Sequence, residues 1–213
     1  MIPVENIEDM SAKAQDGILI GNQVDKAQLA NPLARRMVAN FDAAVLSLLA
    51  LAQPKTIHEV GCGEGRLARM IQPQYPVPFR ASDFSRELTE ENLRQGPPEI
   101  LFVCRSIYEL NATEDGAGVI LCCEVLEHLE DPAKGLLALR GAGAGQYILS
   151  VPNEPVWRVL NFCRGKYWRD FGNTPGHLNH WSPAGFCRFL EAHGFKVSRR
   201  LQPFPWTMVL GHF

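Results

Sequence analysis

The sequence has no C-x-x-C pair, no apolar run of membrane-spanning length and no marked excess of either charge, and each absence excludes a class of protein. Its 213 residues include 21 Lys or Arg and 23 Asp or Glu, a formal net charge of −2. Binding to nucleic acid usually shows as clustered basic excess, so no nucleic-acid partner is expected. The longest apolar stretch, residues 43–52, is interrupted by Ser47 and is about half of what a bilayer-spanning helix needs. No membrane span is expected. Residues 1–10 carry Glu5, Glu8 and Asp9 and lack the basic start and apolar centre of a secretory leader, which predicts a cytoplasmic protein. The six cysteines (Cys62, Cys104, Cys122, Cys123, Cys163 and Cys187) therefore read as reduced residues, and the adjacent Cys122 and Cys123 must point to opposite faces of a strand.

What is present is an ordinary globular composition, 46% apolar and 21% charged, at a length that suits one domain. Apolar residues at three- and four-residue steps predict a helix over 28–52, ended by Pro54. Residues 56–60 read as a strand entering a glycine turn, and helical spacing resumes at Leu67. Further strands are predicted at 79–82, 100–104, 119–123 and 147–151, with helices at 86–94 and, opened by an Asp131 N-cap and Pro132, at 132–140 between them. Ser182-Pro183 opens another helix to His193, and 195–201 with 207–210 read as a final antiparallel pair. Such alternation implies a doubly wound, Rossmann-like α/β sheet whose ligand lies at the carboxyl ends of the strands. We expect residues 1–53 to form an N-terminal helical extension and 54–213 a single domain. An aromatic and basic insertion over about 153–181 serves it as a lid.

The turn Glu59-Val60-Gly61-Cys62-Gly63-Glu64-Gly65 puts small residues where a strand hands over to a helix, so a ligand can approach the backbone closely. Its spacing is not the G-x-G-x-x-G of dinucleotide sites. The acid at Glu59 would repel a pyrophosphate and tolerate a cation. Asp83 follows 20 residues after Gly63 at the end of the next strand, where a carboxylate can accept both hydroxyls of a ribose, and Phe84 can pack on an adenine.

With HEVGCGEG, SDFS, CCEVLEHLEDP, SVPN and HLNHWSPAGFCRFLEAHGF in this order, residues 56–195 resemble the class I S-adenosylmethionine-dependent methyltransferases. The resemblance implies a seven-stranded sheet, mostly parallel with an antiparallel last strand, and S-adenosylmethionine across the ends of its first, second and fourth strands. By that comparison Gly61 and Gly63 line the methionine part, Asp83 the ribose, and Phe84 with Ser106 and Ile107 the adenine. Glu59 and Cys123 complete the cofactor set. Where many relatives carry an aspartate for the adenine amino group, Ser106 stands here. Arg35, Arg36 or Arg66 would meet the cofactor's own carboxylate.

A sulfonium methyl is already activated, so the enzyme mainly has to align the acceptor and exclude water. A hydroxyl acceptor must also lose a proton, for which a base or a metal ion is useful. Glu124, Glu127 and His128 form E-x-x-E-H after the fourth strand, where one helical turn would place all three on one side, and His177 and His180 come from the segment after the fifth. The candidate catalytic residues are His128, Glu124 and His180. A Mg²⁺ site of Glu124, Glu127, His128 and His180 is the alternative use, similar to that of quinone-biosynthesis O-methyltransferases and small-RNA 3′-end 2′-O-methyltransferases. The same segment in metal-free relatives only fixes the loop. Trp157, Tyr167, Trp168 and His177 are the candidate substrate residues. The expected activity is methyl transfer to a small-molecule acceptor at oxygen. The alternatives are an RNA 3′-terminal 2′-O-methyltransferase and a non-catalytic cofactor-binding scaffold.

Overall fold

The computed structural model describes residues 14–15, 18–19, 31–163, 173–174 and 176–213. Two short strands, β1 (Ala14–Gln15) and β2 (Ile18–Leu19), pair antiparallel ahead of the first helix. Helix α1 (Pro32–Ala52) begins where the Asn31 side chain accepts from the Leu33 N–H at 2.9 Å and Pro32 fills the first helical turn. It ends at Gln53, which takes the left-handed conformation before Pro54. The sequence placed its start at residue 28, and residues 20–30 lie outside the described residues.

From there strands and helices alternate as expected: β3 (Ile57–Val60), α2 (Arg66–Ile71), β4 (Phe79–Asp83), α3 (Arg86–Gln95), β5 (Ile100–Cys104), α4 (Ala112–Asp115), β6 (Val119–Cys123), α5 (Pro132–Ala142) and β7 (Gln146–Pro152). After α6 (Val156–Cys163) and α7 (Pro183–Ala192) the chain closes with β8 (Lys196–Leu201) and β9 (Trp206–His212). The predicted caps do their work. Asp131 accepts from the Lys134 N–H ahead of Pro132, and Ser182 from the Gly185 N–H ahead of Pro183.

Seven strands form one sheet in the order β5-β4-β3-β6-β7-β9-β8. β5, β4, β3, β6 and β7 are parallel, and β9 runs antiparallel between β7 and β8. The chain starts in the middle at β3, moves outward to β5 and returns to β6. The switch point between β3 and β6 is thus where a crevice opens above the carboxyl ends.

The sheet divides the core into two layers. Phe41, Val45, Leu48 and Leu49 of α1 and Leu67, Ala68 and Ile71 of α2 pack on one face, with Cys123 among their strand partners. Leu136 and Leu139 of α5 and Phe186 and Leu190 of α7 cover the other, where Cys122 points. Helix α1 therefore shares its core with the sheet. The two cysteines take opposite faces, as strand alternation requires.

One polar cluster lies inside the sheet and leaves no mark in the sequence pattern. His58 on β3 is buried, with Nδ1 at 2.8 Å from the Asp115 carbonyl oxygen and Nε2 at 2.8 Å from the Ser82 hydroxyl. The fully buried Asp115 carboxylate accepts from the Asn111 N–H and faces Arg80 and Arg105, each at 3.7 Å. Burial lowers the His58 pKa from 6.5 and keeps the ring neutral. Below that value the unfolded chain binds a proton that the folded chain refuses, so stability falls as pH falls. In denaturant titrations between pH 7 and 5, the stability of His58→Gln relative to the parent is expected to rise with acidification, by at most ~1.4 kcal/mol per pH unit.

Candidate active site

The turn after β3 is built from three glycines with positive φ, Gly61 at 76°, Gly63 at 52° and Gly65 at 71°. At Gly61 a side chain would run into the Val125 methyl across the switch point, so only glycine lets β3 and β6 close up there. The Gly61 and Cys62 N–H groups both donate to the Ser82 carbonyl, at 2.7 and 2.9 Å, and tie the turn to β4.

Asp83 ends β4 as the sequence predicted, and its carboxylate is pinned on both sides. Oδ2 accepts from the Gly63 N–H and Oδ1 from the Ser85 N–H, each at 2.9 Å. Burial raises its pKa, and these two bonds act in the opposite direction. Two amide bonds leave lone pairs on both oxygens for further donors.

Glu59 lies beneath the turn with 3% of its surface exposed. Burial pushes its pKa up to about 8, against the pull of the Arg66 charge and a hydrogen bond from the Ala68 N–H. Its Oε2 has no hydrogen-bond partner among the described residues. Arg66, one of three cations considered for the cofactor's carboxylate, forms a bidentate pair with Asp42 on α1, at 2.8 and 2.9 Å. Arg35 and Arg36 are exposed.

The adenine candidates divide. Phe84 is half-buried beside Asp83. Ser106 caps a single 3₁₀ turn, Ile107–Glu109, accepting from the Tyr108 N–H while its own N–H donates to Glu109. One acceptor position of its hydroxyl is thereby taken. Ile107 packs its side chain into the core against the layer that holds α5. Cys123 is buried, and burial raises its thiol pKa.

Past β6 the chain turns sharply. Glu124 has φ 60°, unusual for a side-chain-bearing residue, and its carboxylate accepts from the Ser150 hydroxyl at 3.3 Å and the Trp206 indole N–H at 2.5 Å. Residues Leu126–His128 then form one 3₁₀ turn rather than the α-helical turn that would have set Glu124, Glu127 and His128 on one side. The group that does assemble is Glu127, His128 and His177, with one potential ligand atom from each within 4.8 Å of the others. His177 had been read as a substrate residue. Glu124 faces Ser150 and Trp206, whereas His180 is exposed and its Nε2 lies 2.6 Å from the Asn173 Oδ1, so the four-residue set of the sequence does not form as such.

The loop carrying His177 is fastened beneath this turn. The Leu178 and Asn179 N–H groups donate to the Glu127 carbonyl, and the Asn179 amide donates to the carbonyls of Leu126 and Leu129. His128 Nδ1 lies 2.8 Å from the Gly176 carbonyl, which makes Nδ1 the protonated nitrogen and Nε2 the basic one. Burial depresses the His177 pKa to about 3, with His128 and His180 adding to the effect.

A family profile described as a methyltransferase domain matches residues 33–199. The chain belongs to this methyltransferase-domain family. A comparison with curated proteins finds no match. Among solved structures, the methyltransferase domain of bacterial CtHen1 is 20% identical, covers 83% of this chain and 100% of its own, and superposes with TM-score 0.65. Magnesium protoporphyrin IX methyltransferase from Synechocystis PCC 6803, solved with bound S-adenosylhomocysteine, is 16% identical over 86% of this chain and 88% of its own, with TM-score 0.63. Human N-acetylserotonin methyltransferase, in complex with S-adenosylmethionine, is 14% identical over 84% of this chain and 55% of its own, with TM-score 0.64. Those likenesses show the shared fold, and with the family match the chain is a class I S-adenosylmethionine-dependent methyltransferase.

In this methyltransferase the sequence also left functional neighbours unread. Trp206 was not singled out, yet it packs edge-on to Phe41 at 5.1 Å, tilts over Trp157 at 5.5 Å and holds Glu124. Trp157 in turn donates to the Thr174 hydroxyl at 2.9 Å. Phe41 and Trp206, with Val38 and Arg66, line a cleft beside the glycine turn. Tyr167 and Trp168 lie outside the described residues.

Glu59 supplies a test of the site's electrostatics. Folded, it keeps its proton up to about pH 8, whereas the unfolded side chain releases it near 4.5. The stability it contributes is complete below 4.5 and is lost as pH rises to 8, with a slope of at most ~1.4 kcal/mol per pH unit. Glu59→Gln is expected to remove that slope from a series of urea titrations between pH 5 and 8.

Proposed function

We propose that this methyltransferase transfers the methyl group of S-adenosylmethionine to a hydroxyl oxygen of a small-molecule acceptor. The observation that carries this reading is the Glu127–His128–His177 group beyond β6, in which the Gly176 carbonyl orients the His128 ring through Nδ1. A thiol acceptor, whose proton is more acidic, has less use for such a group.

In the reaction the acceptor oxygen attacks the methyl carbon, the carbon–sulfur bond breaks with its electron pair on sulfur, and neutral S-adenosylhomocysteine leaves. The acceptor's proton passes to His128 Nε2, whose imidazolium is steadied by Glu127. Glu124, held by Ser150 and Trp206, presents a fixed carboxylate at the end of β6, favourable to the sulfonium charge. Gly61 and Gly63 leave room for the methionine part, Asp83 holds the ribose hydroxyls, and Phe84 with the Ser106 turn borders the adenine. His180 and Trp157 belong to the acceptor side.

Two imidazoles and one carboxylate also fit a divalent cation, and one nitrogen of His128 is already oriented by a backbone carbonyl, as ligating histidines usually are. Glu127, His128 and His177 would hold it, in place of the four residues expected from sequence. Nitrogen-rich ligation suits a borderline transition ion better than the Mg²⁺ first considered. Such an ion would lower the pKa of a bound hydroxyl.

Several relatives support a small acceptor by name, among them the enzymes named for magnesium protoporphyrin IX and N-acetylserotonin. The Glu127–His128–His177 group equally suits a ribose 2′-hydroxyl at an RNA end, the second reading. Steeply salt-dependent binding of short RNA would favour that reading, and the net charge of −2 speaks against it. Among the described residues no helix is long and apolar enough to cross a membrane, and Cys62, Cys122 and Cys123 are buried free thiols.

Calorimetry with S-adenosylhomocysteine tests the cofactor half. The parent is expected to bind, and Asp83→Ala to lose about 1–3 kcal/mol through its charge-assisted ribose bonds. A parent that binds neither form of the cofactor would sink the reading. For the acceptor half, chelation with turnover followed in an acceptor screen decides the metal. Unchanged turnover, and no visible absorption bands on Co²⁺ titration, would leave His128 as the base. Loss of turnover, with bands abolished by His177→Ala, would assign the group to a cation.

A further inference from the structure

The glycine turn is gripped from a side that the sequence does not advertise. Asn92 projects from α3 and is 1% exposed. Its Nδ2 donates to the Gly63 carbonyl at 2.8 Å, and its Oδ1 accepts from Arg69 Nη2 at 2.8 Å. Arg69, on α2, also donates to the Glu64 carbonyl, and its guanidinium lies over the Phe102 ring at 5.6 Å from the centroid. Both peptide groups of Gly63 are thus committed, its carbonyl to Asn92 and its N–H to Asp83.

Gly63 has φ 52°, and the position of its Cα lies open, with no atom within 4 Å of where a side chain would begin. Among the described residues, nothing beyond its chain neighbours packs where its side chain would be. Hydrogen bonds must fix it instead. Freed at the carbonyl, the peptide after Gly63 loses its anchor, and the glycine's two torsions then let the peptide before it, which carries the N–H, shift away from Asp83, so that the carboxylate would lose the bond that orients it.

We infer that Asn92, braced by Arg69, is a positioning residue for cofactor binding: it fixes Gly63 and, through the Gly63 N–H, aims the Asp83 carboxylate. This rests on the reading of Asp83 as the ribose ligand. It adds that α2 and α3 communicate with the cofactor through a buried amide and a guanidinium that do not touch it. Asparagine is suited to the place because one face must donate to a carbonyl while the other accepts from an arginine.

The test separates orientation from folding. Asn92→Asp keeps the acceptor for Arg69, gains a charge pairing with it, and replaces the donor to Gly63 by an oxygen that the carbonyl repels. It is expected to melt within a few degrees of the parent, while the Kd for S-adenosylhomocysteine and the KM for S-adenosylmethionine rise roughly tenfold and kcat at saturating cofactor stays within about twofold. Leu93→Ala, at an exposed position on the same helix, should change neither constant. Asn92→Asp with parental affinity overturns the inference, as does a kcat that falls in step with affinity. Should that variant unfold, Arg69→Lys is the second one, expected to raise KM with a smaller effect on kcat. A parent that fails to bind the cofactor at all would instead overturn the assignment of Asp83.

Discussion

One hydrogen bond, from the Gly63 N–H to the Asp83 carboxylate, joins the two strand ends on which the site is built. It spans the β3 turn and the β4 terminus, which strand pairing alone brings only as close as Val60 opposite Ser82. A second bond to the same carboxylate comes from the Ser85 N–H at the start of α3. The acid therefore acts as a junction of strand, turn and helix before it acts on any ligand. A buried carboxylate satisfied by two amides is oriented without waiting for substrate, and such preorganisation is what turns a hydrogen-bonding residue into a selective one.

That junction sits in an electrostatic setting suited to a cation. Glu59 lies under the turn, Asp83 beside it and Glu124 across the switch point, while Arg66 is paired with Asp42 and Arg69 is engaged by the Glu64 carbonyl and Asn92. Glu59 has a pKa of about 8 and so holds a proton at neutral pH when nothing is bound. A positive ligand nearby favours the carboxylate form and draws that proton off. The glycine turn thus differs from a phosphate cradle in charge as well as spacing.

Much of this was legible in the sequence, because strand-turn-helix periodicity, paired glycines and an acid at a strand end are local signals. Asp131-Pro132 and Ser182-Pro183 opened their helices as read. What stayed hidden was set by side-chain partners far apart in sequence. His58 looks like any polar residue alternating in a strand until Asp115, 57 positions on, provides its acceptor. Asn92 reads as a surface helical residue, since α3 is strongly polar, and only its place against the turn gives it a function. The E-x-x-E-H segment misled for a local reason. The left-handed turn at Glu124 rotates that carboxylate toward β7 and β9, and His177 takes the remaining place because its loop hangs from the Glu127 carbonyl.

The separation of Glu124 from Glu127 has a mechanistic consequence. If all the acids lay on one helical face, cofactor charge and acceptor proton would compete for the same carboxylates. Here Glu124 is committed to Trp206 and Ser150, whereas Glu127 stands with two imidazoles. In the proposed reaction one acid can then face the sulfonium while the other stands with the imidazoles on the acceptor side. Trp206 ties the first group to α1 through Phe41 and to α6 through Trp157. The fastening of 176–179 under the 3₁₀ turn ties the second to the approach to α7. Among the described residues, the chain between β7 and α7 thus reaches both groups, through Trp157 to Trp206 and through 176–179 to Glu127, and is placed to couple the cofactor end of the site to the acceptor end.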